Sequence, residues 1–175
     1  MNETLHLHPT APLAERVLLP GDPGRALLLA QSLLQEPKMF NHNRGLWGYT
    51  GVDADGEPLS IQSTGMGAPS AAIVISELVE LGARTLLRVG TCGALTASLS
   101  LGELLIAGEA LVAEGTSAAL GAPEGVPATA ELIGALRAAA PGVRTVTVVS
   151  TDLFYDPTGR EHDWRAAGAS AVEME

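Results

Sequence analysis

Apolar positions along the chain fall into short runs that stop at glycine and give way to stretches with helical spacing. The first run, residues 16–19, predicts a strand, and apolar residues over 24–34 recur at the spacing of a helix. Between them, Asp22 is suited to cap the helix and Pro23 to occupy its first position. A strand that stops at glycine before a helix can present backbone N–H groups to an anion. An ordinary strand-to-helix turn without a ligand is the alternative interpretation.

The same order of strand, glycine-rich turn and helix returns further along the chain. Residues 58–62 predict a strand, 63–68 a turn that contains glycine, and 69–81 an apolar helix that ends at Gly82. This alternation is typical of α/β proteins. It predicts a single three-layer domain over 1–175, with a central mixed, mainly parallel sheet flanked by helices and a site at the carboxyl ends of the strands.

The other predicted elements complete this sheet and its helical layers. Strand patterns occur at 39–52, which pairs with 58–62 through the turn 53–56, and at 85–89, 104–107, 110–114, 143–150 and 169–172; helix patterns occur at 129–140 and 160–167. The small-residue stretch 115–127 shows no periodicity and is predicted to be a loop.

Arg88 lies inside the predicted strand 85–89, whose other residues suit a strand that is buried on both faces. Burying an unpaired guanidinium there costs several kcal/mol, so an anionic group is expected beside it. Gly90 and Gly93 allow backbone N–H groups to converge, and Thr91 adds a hydroxyl. Two interpretations stay open at this point: a bound oxyanion, phosphate by preference, or a carboxylate from within the chain.

Net charge, hydrophobic content and the cysteine count disfavour several classes of partner and site. The formal net charge is −10 and 46% of residues are hydrophobic, which indicates a folded core and disfavours nucleic acid or an anionic membrane as a partner. The single cysteine, Cys92, excludes an intrachain disulfide, and no spacing typical of metal ligands is present. Because no signal peptide or membrane-spanning run is found, a cytoplasmic protein is expected.

Two aromatic residues, Phe154 and Tyr155, follow the predicted strand 143–150 in a chain with only 3% aromatic residues. At the carboxyl end of a parallel strand they are placed to stack on a flat ring of a ligand. A local hydrophobic plug is the alternative.

Several segments, taken together and in order, carry a resemblance that covers nearly the whole chain. They are residues 20–25, 43–51, 64–67, 88–94, 150–155 and 172–175. Their sequences resemble the nucleoside phosphorylase family, specifically its hexameric purine nucleoside phosphorylase and uridine phosphorylase branch. The details of 44–49 and 155–164 are closer to the purine side of that branch.

The resemblance assigns binding roles to individual residues. The phosphate site it implies consists of Gly21, Arg25, Arg88 and Thr91, with Arg44 reaching in from a neighbouring subunit. The nucleoside site it implies consists of Met66, Met174 and Glu175 at the ribose, Phe154, Val172 and Glu173 at the base, and a histidine of the neighbouring subunit at the 5′-hydroxyl. His6 is favoured for that histidine because of its Leu-His-Leu context, and His8 is the alternative.

The resemblance also implies a reaction and an assembly. The reaction is reversible phosphorolysis of purine nucleosides to a free base and ribose 1-phosphate, with inorganic phosphate as co-substrate and no metal or other cofactor. The assembly is a homo-oligomer, a hexamer built as a trimer of dimers, because neighbouring subunits share each site.

The sequence departs from the family pattern at its carboxyl end. Family members continue past the position of Glu175, through the segment that carries the aspartate that protonates the purine. We therefore expect the catalytic acid to lie beyond Glu175, and the 175-residue chain to be nearly inactive and poorly stable. Measurable phosphorolysis by this chain would contradict that expectation.

Four other functions are compatible with these sequence features. Within the family they are a uridine phosphorylase, a nucleosidase that uses water, and a non-catalytic nucleoside-binding remnant that lacks the acid. Arg25 and Arg88 argue against the nucleosidase, because they match the phosphate site. Outside the family, the chain is an unrelated α/β binding domain in which Arg88 pairs with an internal glutamate.

Overall fold

The computed structural model describes residues 4–175, and the chain divides into two compact units, Met1–Gly90 and Thr91–Glu175. Each unit contains one five-stranded mixed sheet with helices packed against it. The predicted α/β class is therefore confirmed, while the strands that we expected in one sheet are divided between two.

The first unit combines a parallel core with an antiparallel extension. Its elements are β1 (Arg16–Leu19), α1 (Pro23–Leu33), β2 (Gln35–Asn41), a 3-10 turn (Asn43–Gly45), β3 (Gly48–Val52), β4 (Pro58–Gln62), α2 (Ala68–Glu80) and β5 (Thr85–Arg88). The strand order is β2-β3-β4-β1-β5. Strands β4, β1 and β5 are parallel, so their carboxyl ends lie side by side, whereas β3 runs antiparallel to both of its neighbours.

The core of the first unit lies on both sides of β1. Val17 and Leu19 point into a cluster with Phe40, Val74 and Leu78, all almost completely buried. On the other side, the buried face of α1 packs with Tyr49 of β3 and Ile61 of β4. Packing on both faces stabilises the strand whose end carries the glycine turn.

The second unit differs from the first in having its parallel strands in the middle and an antiparallel strand at each edge. Its elements are β6 (Gly93–Ala94), β7 (Leu105–Ala113), α3 (Gly115–Ala119), β8 (Gly125–Pro127), α4 (Ala130–Ala139), β9 (Arg144–Thr151), α5 (Glu161–Ala166) and β10 (Ala169–Glu173). The order is β6-β10-β9-β7-β8, with β10, β9 and β7 parallel. Leu95, Val149 and Ala169 form its buried cluster.

Three sequence-based boundaries were wrong. The two strands predicted at 104–107 and 110–114 are one strand, β7, which continues through a register shift at Gly108. The predicted loop 115–127 contains α3 and β8, because Glu114 caps a short helix and 125–127 pairs with β7. The predicted strand 39–52 is interrupted by the 3-10 turn.

The predicted burial of 85–89 was also wrong. β5 lies at the edge of its sheet, next to β1, and each of its residues is only half-buried. An edge position leaves one side of a strand without a neighbouring strand, which explains the partial exposure of Arg88. Among the described residues, no helix has both the length and the apolar character that spanning a bilayer requires.

Replacing Gly134 by alanine is expected to stabilise the protein by about 0.5–1 kcal/mol, because glycine weakens a helix interior. Gly134 is an exposed residue of α4, and a Cβ added there meets no atom within 4 Å. Gly142→Ala is the matched control and is expected to destabilise, since Gly142 has a φ of +89°. Urea unfolding of both variants tests this, and equal effects would contradict it.

Candidate functional site

The carboxyl ends of β4, β1 and β5 bring three of the predicted site segments together in the first unit. The Gly65 amide donates to the Gly21 carbonyl at 3.0 Å, and the Thr64 amide donates to the Pro20 carbonyl at 2.9 Å. On the other side of β1, the Val89 amide donates to the Leu19 carbonyl at 3.1 Å. The glycine turn after β1 therefore lies between the other two strand ends, as predicted for a site in a parallel sheet.

The start of α1 is capped as predicted. The Asp22 carboxylate accepts a hydrogen bond from the Arg25 amide at 2.7 Å, and Pro23 opens the helix. One of the first-turn amides is thus satisfied within the chain. The half-buried Arg25 side chain starts from this same turn, directly after Gly21.

Arg88 ends β5 and turns its guanidinium toward β1. Its Nη1 atom donates to the Leu19 carbonyl at 3.2 Å, which places the guanidinium at the end of β1 that leads into Gly21. The backbone of Gly90 lies against this guanidinium: a Cβ at Gly90 would be 2.6 Å from Nη1 and 2.9 Å from Cζ of Arg88. The absence of a side chain at Gly90 therefore sets where the guanidinium can lie.

Replacing Gly90 by alanine is expected to lower phosphate affinity about tenfold while changing the free energy of unfolding by less than about 1 kcal/mol. The added Cβ displaces the flexible end of Arg88 and leaves the backbone in place. Calorimetric titration with phosphate, beside urea unfolding, measures both quantities. Unchanged phosphate affinity would contradict the role assigned to this contact, and Gly134→Ala serves as the control for titration.

Arg44 and His6, which the resemblance assigns to a neighbouring subunit's site, lie together in the first unit. The side-chain amide of Asn43 donates to the His6 carbonyl at 2.9 Å. The next residue, Arg44, is exposed and has a φ of +56°, a left-handed conformation that is uncommon for residues other than glycine. The strained turn thus presents the Arg44 side chain outward beside the segment that carries His6.

The segment that contains both candidate histidines is fixed by buried polar side chains. The His6 ring contacts Glu77 with Nδ1 2.6 Å from Oε1, and the ring is about one-third exposed. The backbone amide of the exposed His8 donates to Asn41 at 2.8 Å, and within residues 4–175 no hydrogen bond is described for its ring. His6 is thus the histidine with an oriented ring, which favours it over His8.

Met66 follows Gly65 in the turn after β4, and its side chain is 81% exposed. Gly65 has a φ of +77°, and a Cβ there would lie 2.4 Å from the Ser70 hydroxyl oxygen, so glycine is required at this position. The turn thus presents Met66 away from the core, as a contact for a ligand requires.

In the second unit, the end of β10 carries four of the base and ribose residues that the resemblance assigns: Val172, Glu173, Met174 and Glu175. The Glu173 carboxylate accepts a hydrogen bond from the Ser150 hydroxyl and another from the Glu175 amide, the latter at 2.8 Å. Val172 pairs with Gly93 of β6, which follows Thr91 by two residues. Val172, Glu173 and Glu175 thus share one strand end with the segment of Thr91, and Met174 lies within it.

Phe154 and Tyr155 lie beyond the end of β9 and are largely exposed, with an edge-to-face contact between rings 4.9 Å apart. This exposure contradicts the alternative interpretation of the two rings as a local hydrophobic plug within the described residues. The segment that follows is anchored by Arg160, which donates to Asp156 at 2.7 Å and stacks on Trp164. Hydrogen bonds from Thr158, first from its hydroxyl and then from its amide, lower the pKa of Asp156 to about 2.

Cys92 lies in the same segment as Thr91, and its pKa is raised, first by partial burial and then by the charge of Glu173. A thiol with a raised pKa is a poor nucleophile at neutral pH. Within residues 4–175, no group of three or more histidine, cysteine or acidic side chains is arranged to hold a metal ion.

Two residues that shape these sites, Glu77 and Ser150, were not predicted from the sequence, and a third, Gly90, was predicted with only part of its role. Glu77 had a signal, because it lies three residues after Val74 and immediately before Leu78 on an apolar helix, where a carboxylate is unexpected. Ser150 is a small polar residue at a strand end, and nothing in the pattern links it to Glu173. Gly90 was noticed for its backbone, whereas the structure shows that it also makes room for Arg88.

Acid is expected to release the segment around His6. Burial raises the pKa of Glu77, but hydrogen bonds from the His6 ring and from the Leu7 and His6 amides outweigh it, and the pKa lies below its ordinary value of 4.5. Because the folded-state pKa is lowered, this contact stabilises the fold above about pH 4.5 and is lost as pH falls through the lowered pKa. The Leu7 amide proton shift should titrate with a midpoint below 4.5; a midpoint above it would contradict this.

Comparison with known proteins agrees with this geometry. A family model described as the phosphorylase superfamily matches residues 15–175. The purine nucleoside phosphorylase DeoD-type of Geobacillus kaustophilus (strain HTA426) is 37% identical, in an alignment covering 95% of this chain and 73% of that protein. The guanosine phosphorylase of Halorubrum lacusprofundi is 40% identical, covering 92% of this chain and 68% of that protein.

A solved structure shows the same fold. The crystal structure of purine nucleoside phosphorylase from Toxoplasma gondii in complex with immucillin-H matches with a TM-score of 0.83 at 26% identity. The match covers 93% of this chain and 68% of that chain. The family model covers residues 15–175, and the relatives are similar over most of the chain. The chain therefore belongs to the phosphorylase superfamily, as the resemblance of its segments to nucleoside phosphorylases implied.

Proposed function

We propose that this protein binds inorganic phosphate and a purine nucleoside for reversible phosphorolysis to a free purine and ribose 1-phosphate, a purine salvage reaction. The observation that carries the proposal is the meeting of Gly21, Gly65 and the Arg88 guanidinium at adjacent strand ends, in a chain of the phosphorylase superfamily. Two relatives named as purine nucleoside and guanosine phosphorylases support the purine side.

The proposed phosphate ligands are Gly21, Arg25, Arg88 and Thr91, with Arg44 from a neighbouring copy. Guanidinium groups form bidentate, charge-assisted hydrogen bonds with phosphate oxygens, and backbone amides add neutral donors. Phosphate attacks C1′ of the ribose as the glycosidic bond breaks. The sugar gains positive charge in the transition state, so the phosphate dianion acts both as nucleophile and as electrostatic stabiliser, without a metal or other cofactor.

The proposed nucleoside ligands are Met66, Phe154, Val172, Glu173, Met174 and Glu175, together with His6 from a neighbouring copy. A carboxylate such as that of Glu175 accepts hydrogen bonds from both ribose hydroxyls, and the methionine thioethers pack on the sugar. The exposed ring of Phe154 is suited to stack on a purine. These assignments follow the family resemblance, and the strand-end positions of the residues support them.

The binding test compares inosine with uridine, each with and without phosphate, by calorimetric titration of the full chain. We expect inosine to bind, and phosphate to tighten inosine binding by about tenfold, because phosphate is the co-substrate that attacks the ribose in the proposed reaction. Tighter binding of uridine would indicate a uridine phosphorylase. Inosine binding that is independent of phosphate, with hydrolysis in its absence, would contradict phosphorolysis.

We also propose that the protein acts in the cytoplasm as a homo-oligomer, a hexamer arranged as a trimer of dimers. The hydrogen bond between Asn43 and the His6 carbonyl supports the oligomer, because it keeps His6 beside Arg44. One region of the chain can then supply both residues to a neighbouring copy's site. A free thiol at Cys92 suits a reducing compartment. Light scattering should give a mass of about six times the 18.0 kDa chain, and a monomer at working concentration would contradict it.

A further inference from the structure

A buried carboxylate interrupts the apolar inner face of α2. Glu77 is 9% exposed, and its neighbours on the same face, Val74 and Leu78, are fully buried in the core. Burying a charged side chain among apolar residues is costly unless it is paired and hydrogen-bonded. The contacts that offset this cost show what the carboxylate does.

Among the described residues, the side-chain hydrogen bonds of Glu77 lead to the segment that carries His6. The Leu7 amide donates to Oε2 at 2.7 Å, and the His6 amide lies 3.1 Å from both carboxylate oxygens. The His6 ring adds its Nδ1 atom at 2.6 Å from Oε1. The carboxylate thus holds the backbone and the ring of one histidine together.

This geometry determines which ring nitrogen carries the proton. A carboxylate with these donors around it is an acceptor, so Nδ1 must donate, and Nδ1 carries the hydrogen. In a neutral imidazole the other nitrogen, Nε2, is then a hydrogen-bond acceptor. A carboxylate that orients a histidine through Nδ1 in this way fixes both its tautomer and the direction of Nε2.

We infer that Glu77 is a positioning residue that sets His6 to accept a hydrogen bond at Nε2 from a hydroxyl donor, and so selects nucleosides that keep a 5′-hydroxyl. The substrate part of this inference rests on the proposed function, in which His6 meets the 5′ end of a nucleoside. The tautomer part rests only on the contacts between His6 and Glu77.

The tautomer is tested first, without a ligand, by nitrogen-15 NMR of histidine-labelled protein at about pH 9, above the ordinary histidine range. Signals of His6 are assigned by their loss in His6→Asn. We expect a protonated Nδ1 and an unprotonated Nε2 in the unsubstituted protein and in Glu80→Gln, a control at an exposed acidic residue of the same helix. A protonated Nε2 in the unsubstituted protein would overturn the inference, and no variant is needed for that result.

Selectivity is tested next by titrating inosine and 5′-deoxyinosine in the presence of phosphate. We expect the unsubstituted protein and Glu80→Gln to prefer inosine about tenfold, the value of one well-placed hydrogen bond, and Glu77→Gln to reduce the preference to about twofold. A preference unchanged in Glu77→Gln would overturn the positioning role. A protein that binds neither nucleoside refutes the proposed function and, with it, the substrate part of the inference, while the NMR result still decides the tautomer.

Discussion

Replacing Arg88 by glutamine is expected to lower phosphate affinity roughly 100-fold, the largest effect on binding expected for any single substitution in the proposed site. Arg88 contributes a full charge at the end of β5, and its contact with the Leu19 carbonyl aims that charge at the turn containing Gly21. Glutamine keeps a polar donor of moderate length and removes the charge. Calorimetric titration with phosphate measures the loss.

Arg84→Gln is the control for this experiment. Arg84 is exposed and lies just before the opposite end of β5, about 13 Å along the strand from Arg88. The Arg84→Gln substitution removes the same charge from the same unit as Arg88→Gln. The phosphate affinity of this control should change less than twofold at moderate ionic strength. Equal losses in the two variants would show that phosphate responds to net charge alone, and the proposed site would be wrong.

Replacing Phe40 by alanine is expected to reduce the stability of the first unit by about 3–5 kcal/mol, the largest effect on folding that we expect. Phe40 is completely buried and packs in the cluster that supports β1 from the side of α2. Alanine leaves a cavity that the surrounding strands and helix fill only in part. Urea unfolding followed by Trp47 fluorescence, in a Trp164→Phe background, reports on this unit.

Met39→Ala provides the matched comparison, because Met39 is the preceding residue of β2 and is 41% exposed. Its loss should cost less than about 1 kcal/mol, since the side chain is already partly in water. A Phe40→Ala variant no less stable than Met39→Ala would contradict the position of the core. Reduced phosphate affinity in Phe40→Ala under folding conditions would further tie this core to the site.

Local signals predicted much of the first unit. Asp22, Pro23 and Gly82 marked the ends of helices correctly because capping and termination depend on residues next to each other in sequence. The turn 53–56 between β3 and β4 was also predicted, since hairpin turns depend on local backbone preferences. In each case the interaction that decides the structure spans only a few residues.

Features that depend on distant residues were not predictable in the same way. β8 forms because 125–127 pairs with β7, and β7 stays continuous because it pairs with β9 on both sides of Gly108, which has no counterpart on β9. The edge position of β5 follows from the strand order, which periodicity does not report. The apolar content of β5 indicated that it is buried, but its position at the edge of the sheet leaves it partly exposed.

In the candidate site too, local features were predictable from the sequence and long-range contacts were not. Gly21, Arg25 and Arg88 were predicted to form an anion site, in part from the family resemblance, and the structure brings the turn of Gly21 and the Arg88 guanidinium to adjacent strand ends. The supporting contacts, Glu77 with His6 and Ser150 with Glu173, join residues more than 20 positions apart. No local pattern pairs them, so they were found only in the structure.

The most direct test of the proposed phosphate site is a crystal structure of the chain with phosphate and inosine. We predict phosphate oxygens within about 3 Å of the Gly21 amide and of the Arg25 and Arg88 guanidinium groups. We further predict the ribose hydroxyls of inosine within hydrogen-bond distance of the Glu175 carboxylate. Phosphate held at any other place, with none at the ends of β1 and β5, would contradict the proposed site.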